Sequence, residues 1–178
     1  MATAYPLDPA YRYNAGARAL HAVVAVLIVV NLALGLLHDP LEKTVNVMPL
    51  HKSIGLTVLA LSLARLGWRF TWTTPSYIPS LARWEHLSSR LMHWSLYALM
   101  LIMPLSGWIF SSAGKYGIAW FGVPLPRFAV TKADPIVGIA HESHEILGYL
   151  MIALVLGHAL AALRHHFVLK DAVLRRMW

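Results

Sequence analysis

There is no cysteine among the 178 residues, and acidic residues are few, eight against fifteen lysines and arginines. The first absence excludes disulfides, iron–sulfur clusters and thiolate metal ligands. Charge of either sign is thin, 13% of residues, while 58% are hydrophobic and the mean hydropathy is +0.57. So apolar a chain is not an ordinary soluble domain and points to a polytopic membrane protein. The formal charge of +7 does not signal nucleic acid, because the basic residues gather at the ends of apolar runs. The N-terminus shows no n-region, h-region and cleavage pattern of its own, so the first apolar run reads as a retained anchor. What remains in excess is histidine, ten in all, the only plentiful strong metal ligand.

The hydropathy pattern divides the chain into four spans, at about 17–37, 50–70, 86–110 and 141–163. Residues 1–16, with Pro6 and Pro9, read as a short polar tail. Residues 38–49 read as a loop closed by Pro49, a residue suited to a helix start. Residues 71–85, with Pro75 and Pro79, form a second loop, and 111–139 form the longest. Pro104 and Gly107 are expected to kink the third span. Residues 164–178 mix basic and apolar side chains and read as a helix continuing into or along the membrane interface. The expected fold is thus an all-α membrane protein, a single four-transmembrane-helix bundle. Four spans put both termini on one side. With them lie Arg12, Arg18, Arg65, Arg69, Arg83, Arg90, Arg164, Lys170, Arg175 and Arg176. The other side has Lys43, Lys52, Lys115, Arg127 and Lys132. The excess of positive charge predicts both termini cytoplasmic.

The fourth span carries His144 and His158, fourteen residues apart. At about 100° per residue the two rings leave nearly the same face, and at about 1.5 Å per residue they lie roughly 21 Å apart along the axis. An imidazole buried at membrane depth needs a partner. Topology then supplies depths. His51 and His144 share the periplasmic level, while His158 shares the cytoplasmic level with His21 and His93. Paired neutral imidazoles without a thiolate suit a six-coordinate haem iron. Zinc wants four ligands at one depth; His51, His141, Glu142, His144 and Glu145 leave that option at the periplasmic level. Gly55 follows His51 by one turn and leaves room for a flat macrocycle, or for ordinary helix packing. His38, His86, His165 and His166 lie at span ends and read as solvated interfacial residues. Trp68, Trp94, Trp108 and Trp120 read as interfacial anchors. Arg18, Lys52 and Arg65 are placed to meet haem carboxylates or to snorkel.

Four stretches resemble the bacterial cytochrome b561 family: ARALHAVVAVLIVVNLALG, MPLHKSIGLTVLALSLARLGWRF, HWSLYALMLIMPLSGWIFS and HESHEILGYLMIALVLGHALAALRHHFVLKDAVLRRM. Together they cover all four spans. The resemblance implies a di-haem protein of the bacterial inner membrane, with two haem b groups. It implies that His21 and His158 hold the iron nearer the cytoplasm, and His51 and His144 the iron nearer the periplasm. His141 rivals His144, but only His144 keeps the fourteen-residue spacing to His158. Family members carry electrons between the periplasmic face and a membrane quinone, and one branch passes them from superoxide to ubiquinone. The expected activity is therefore superoxide oxidation with ubiquinone as acceptor, membrane lipid as the surroundings and no nucleic-acid partner. The rival expectation is an electron-transfer subunit docked to a periplasmic dehydrogenase, hydrogenase or soluble cytochrome. Lys52, Lys115, Arg127 and Lys132 are expected to draw an anion to the outer face, against the opposing charges of Asp39, Glu42, Asp134 and Glu142.

Overall fold

A computed structural model describes residues 11–41, 43–72, 75 and 81–177. The expectations for residues 1–10, for Glu42, for Pro79 and for Trp178 lie outside the described residues. The chain is mostly helical: α1 (Ala15–Leu36), a single turn α2 (His38–Leu41), α3 (Met48–Thr71), α4 (Arg83–Ser112) and α5 (Pro135–Arg164), with a small hairpin of β1 (Ala119–Trp120) and β2 (Val123–Pro124) before α5. The long helices start where the local chemistry allows. The Asn14 side chain accepts the Ala17 amide at 2.8 Å and caps α1. The Glu85 carboxylate reaches back to the Ala82 amide at 3.0 Å at the start of α4. Prolines open α3 and α5, where a missing amide proton costs nothing.

Among the described residues three helices are long and apolar enough to cross a membrane: Ala15–Leu36, Arg83–Ser112 and Pro135–Leu169. Their outer faces leave large apolar side chains uncovered, among them Val26 and Val29 on α1 and Ile146, Leu156 and Leu160 on α5. The fourth long helix, α3, is more polar, with Lys52, Ser53, Thr57, Ser62 and Arg65 along it. Like α4, it packs on two other long helices. α1 packs on α3, α3 on α4 and α4 on α5. Ser53, Ile54, Val58 and Ser62 of α3 are buried. The core cluster takes Val24 from α1, Ile54 and Val58 from α3, Tyr97, Leu99 and Met100 from α4 and Met151 from α5. Met151 stands seven residues from both His144 and His158, so this apolar layer separates the two histidine levels.

Three boundaries differ from the sequence expectation. The residues expected as one loop over 111–139 include Ser111 and Ser112, the last residues of α4, and the first turn of α5, which begins at Pro135. The apolar run of α5 thus starts earlier than expected, at Ile136, Val137 and Ile139, behind a helix-opening proline. The loop that is left is folded. The Trp108 indole donates to the Pro126 carbonyl at 3.0 Å, and the Phe128 amide donates to Ser112 Oγ at 3.2 Å. Residues 38–49 hold the single turn α2 in what was expected to be loop alone. At the C-terminus the helix widens into a π-helical turn over His165–Leu169 and stops at Lys170, whose φ of 54° is left-handed. It does not run on as one continuous helix. Arg176 then turns back, with Nε donating to the Tyr11 carbonyl at 2.9 Å and Nη2 to the Pro75 carbonyl at 3.2 Å. The start of the described chain, its end and the α3–α4 connection therefore meet at one end of the bundle. Pro104 lies inside α4 without ending it.

Candidate functional site

The helix register that sets His144 and His158 on one face of α5 gives each a counterpart on another helix. The His51 ring of α3 stands 6.1 Å from the His144 ring, centroid to centroid, and the His21 ring of α1 stands 6.2 Å from that of His158. Two imidazoles bound to opposite faces of one metal ion, with bonds of about 2 Å and a ring radius of about 1.1 Å on each side, have centroids roughly 6.3 Å apart. Both pairs match that spacing. His93 of α4 also faces His158, at 5.4 Å, short of what an intervening ion requires.

The His51–His144 level has a second feature. The Nδ1–H of His51 donates to the backbone carbonyl of Asn31 at 3.0 Å, and that of His144 to the carbonyl of Met103 at 2.9 Å. Ser106 Oγ lies 3.2 Å from His144 Nδ1 and itself donates to the Met103 carbonyl at 2.7 Å. With Nδ1 engaged, Nε2 of each ring is left to the space between them. Metal-binding histidines are oriented in this way. The same device appears on two helices. Four residues after each accepting carbonyl comes a glycine, Gly35 after Asn31 and Gly107 after Met103. A Cβ at Gly35 would lie 3.2 Å from His51 Cε1, and one at Gly107 would lie 3.0 Å from His144 Cε1. The missing side chains are what let each ring reach a carbonyl within a helix. Sequence reasoning missed Asn31 and Gly35, and assigned Gly107 only to a kink. A glycine at the depth of a predicted ligand was the signal available.

Around these rings is a cavity of about 640 Å³, in the range of cofactor pockets, walled in part by Gly35, Gly55, Gly107, Gly148 and Phe110. Phe110 packs edge-on against both His141 and His144, with centroids 5.1 and 5.5 Å away. His141 and Glu145 also line the cavity. Among the described residues no three His, Asp or Glu side chains gather as an ion site, so zinc finds no ligand set there. Two facing imidazoles, a cavity of cofactor size and small residues at its walls fit a haem. At the other level the ring spacing fits as well, and the Arg65 guanidinium lies over the Tyr97 ring at 5.5 Å. Among the described residues Arg65 has no carboxylate partner.

The basic residues expected to draw an anion are partly engaged. Lys52 Nζ donates to the Gly117 carbonyl at 3.2 Å, and Arg127 donates to the carbonyls of Gly114 and Lys115 at 3.3 and 3.5 Å. Gly117 has a φ of 61°, and a Cβ there would run into the Arg127 guanidinium. Lys115 lies over the Tyr116 ring.

The chain is 31% identical over 173 residues to cytochrome b561 homolog 2 of Escherichia coli (strain K12), covering 93% of this chain and 90% of that protein. It is 31% identical over 129 residues to a protein of Yersinia pestis named probable superoxide oxidase CybB, covering 72% of each. It is 30% identical over 166 residues to cytochrome b562 of Cereibacter sphaeroides, covering 89% of each. The model of the prokaryotic cytochrome b561 family matches residues 12–178. With that match across nearly the whole length, the chain belongs to the prokaryotic cytochrome b561 family.

Proposed function

We propose that this chain, an electron-transfer membrane protein by its family, is one membrane domain of four spans, α3 included, that holds two haem b groups and oxidises superoxide with ubiquinone as acceptor. His51 and His144 hold the outer haem, and His21 and His158 the inner one. The observation that carries the reading is the repeated ring spacing, 6.1 and 6.2 Å, at two levels of one bundle. Haem supplies one-electron redox chemistry when bound. The chain's own groups do the rest. The Asn31 and Met103 carbonyls fix the tautomer and angle of the outer pair. The apolar layer around Met151 and Met100 keeps water from the space between the levels. Arg65 offers the inner level a half-buried positive charge suited to a haem carboxylate.

The positive-inside rule supports an inner-membrane protein with both termini cytoplasmic. Lys115 and Lys132 then face the periplasm and favour an anionic donor. The relative named probable superoxide oxidase CybB supports superoxide as that donor. The test is a reduced-minus-oxidised visible spectrum of detergent-purified protein with haem counted per chain, followed by reduction of a quinone analogue with superoxide. Two b-type haems and rapid quinone reduction are expected. One haem or none overturns the ligand scheme. Two haems inert to superoxide return the chain to an electron-transfer subunit of a periplasmic redox partner.

A further inference from the structure

The hairpin in the loop before α5 is bonded to the side of α3, well below that helix's outer end. The Phe121 amide donates to Ser53 Oγ at 3.0 Å, and the Trp120 indole donates to Thr57 Oγ1 at 3.0 Å. Both hydroxyls are themselves bound to α3 carbonyls one turn back, Ser53 to Pro49 and Thr57 to Ser53, so the anchor points are rigid. Thr57 lies nine residues after Met48, about 13 Å down the helix axis at 1.5 Å per residue. The headgroup region of a bilayer is only about 5–7 Å deep on each side. A hairpin held at that level stands beside the upper acyl chains, not above the membrane.

Its composition matches that place. Ile118 turns inward and is buried, while Phe121 (60% exposed), Val123 (57%) and half of Trp120 (47%) face away from the protein. The two tip residues, Phe121 and Gly122, have φ of 46° and 89°, the left-handed pair of a two-residue hairpin turn. The first tip position favours asparagine, aspartate or glycine. Phenylalanine there holds a backbone conformation that is costly for it. Its ring meets the adjacent Trp120 ring edge-on, with centroids 5.8 Å apart, yet stays 60% exposed, which leaves most of its apolar surface for a contact from outside. The β1–β2 pairing engages the backbone on either side of the tip, and Ser53 takes the Phe121 amide, which lowers the cost of non-helical chain at membrane depth.

We propose that the β1–β2 hairpin is a lipid contact, a wedge of Trp120, Phe121 and Val123 seated in the outer leaflet against α3. The inference rests on the reading of α3 as a membrane span. It gives the outer wall of the His51–His144 level, which Ile118 helps to line, a fixed depth in the bilayer.

The absence of cysteine makes the test direct, since any introduced cysteine is the only one. Nitroxide labels on F121C, on L63C midway along α3 and on K132C in the outer loop are compared in phosphatidylethanolamine–phosphatidylglycerol nanodiscs. The readout is collision with oxygen, which partitions into lipid, against a water-soluble nickel chelate. The expected result is an oxygen-to-chelate ratio at 121 several-fold above that at 132 and close to that at 63. If 63 reads as lipid and 121 as water, the hairpin proposal falls while the four-span reading stands, and the face is open to a soluble partner. If 63 itself reads as water, both fall. V123C replaces F121C in the comparison if the latter does not fold, as judged by helical circular dichroism.

Discussion

Replacing Gly107 by alanine isolates the device that aims His144. The new Cβ would lie 3.0 Å from His144 Cε1 and 3.2 Å from Nδ1. Carbon atoms prefer separations of about 3.5–4.0 Å, so the ring must retreat by roughly half an ångström or more. Its bond to the Met103 carbonyl, now 2.9 Å, then stretches beyond about 3.4 Å, where an N–H···O bond is largely lost. The loss of that bond costs about 1 kcal/mol. Against it, alanine in place of a mid-helix glycine gains about 0.5–1 kcal/mol. The two nearly cancel, so the unfolding temperature of the haem-free protein is expected to stay within a degree or two. Haem retention is not protected by that cancellation. Removing the group that orients a metal-binding histidine typically lowers affinity by about 10–100-fold. The assay is haem per chain and haem loss to apomyoglobin, read from the visible spectrum. Gly67→Ala is the control, since nothing lies within 4 Å of its Cβ position. Gly107→Ala should lose the outer haem selectively. If it holds that haem as tightly as Gly67→Ala does, the glycine–carbonyl device has no part in binding and the argument from it fails.

His158→Ala should remove one haem and leave the His51–His144 haem largely in place; loss of neither, by pyridine haemochrome assay, breaks the pairing scheme. His93→Ala should keep both haems, because its 5.4 Å approach to His158 is too short for an ion between them; loss of one would demote His21. Outside the spans, the Asp134 carboxyl takes the Thr131 amide and hydroxyl at 2.6 and 3.0 Å, and the amide bond foremost holds it below the usual aspartate range. A lowered carboxyl favours the folded turn above the ordinary aspartate pKa, and that contribution fades as pH falls through the lowered value. Hydrogen exchange of the Thr131 amide should therefore stay slow at a pH where an ordinary aspartate is already protonated, and Asp134→Asn should abolish the difference.

The four histidines named from the sequence are the ones whose rings stand at matching spacing. His144 and His158 were legible because a fourteen-residue interval on a helix is a local property that needs no knowledge of the neighbours; His51 came from its depth, and His21 in place of His93 from the family resemblance. The length and position of the helices were legible for the same reason, since apolar runs and prolines speak for themselves. The supporting groups were not. Asn31 and Met103 act through backbone carbonyls, which every residue has, and become acceptors only when another helix approaches. The hairpin was hidden because Phe121 occupies a turn position where its residue type is disfavoured. Trp120, expected to be an interfacial anchor, gave the one hint, though its hydroxyl partner on α3 had no sequence signal. Lys52 and Arg127 were expected to present charge outward; their bonds to loop carbonyls show that each also holds the outer loop in shape.

The polar make-up of α3 bears on how such a chain is made. Ser53 and Thr57 meet the hairpin and Arg65 meets Tyr97 of α4, so a translocon testing segments one at a time would find α3 a poor candidate for release into lipid. For it to cross, α1 must already be waiting, and α4 must follow closely enough to cover Tyr97's side of Arg65. Biogenesis would then proceed by pairs, with α3 retained at the channel until its partners arrive. A chain truncated after Thr71 would leave that helix exposed to membrane quality control, although every residue of α3 itself is intact.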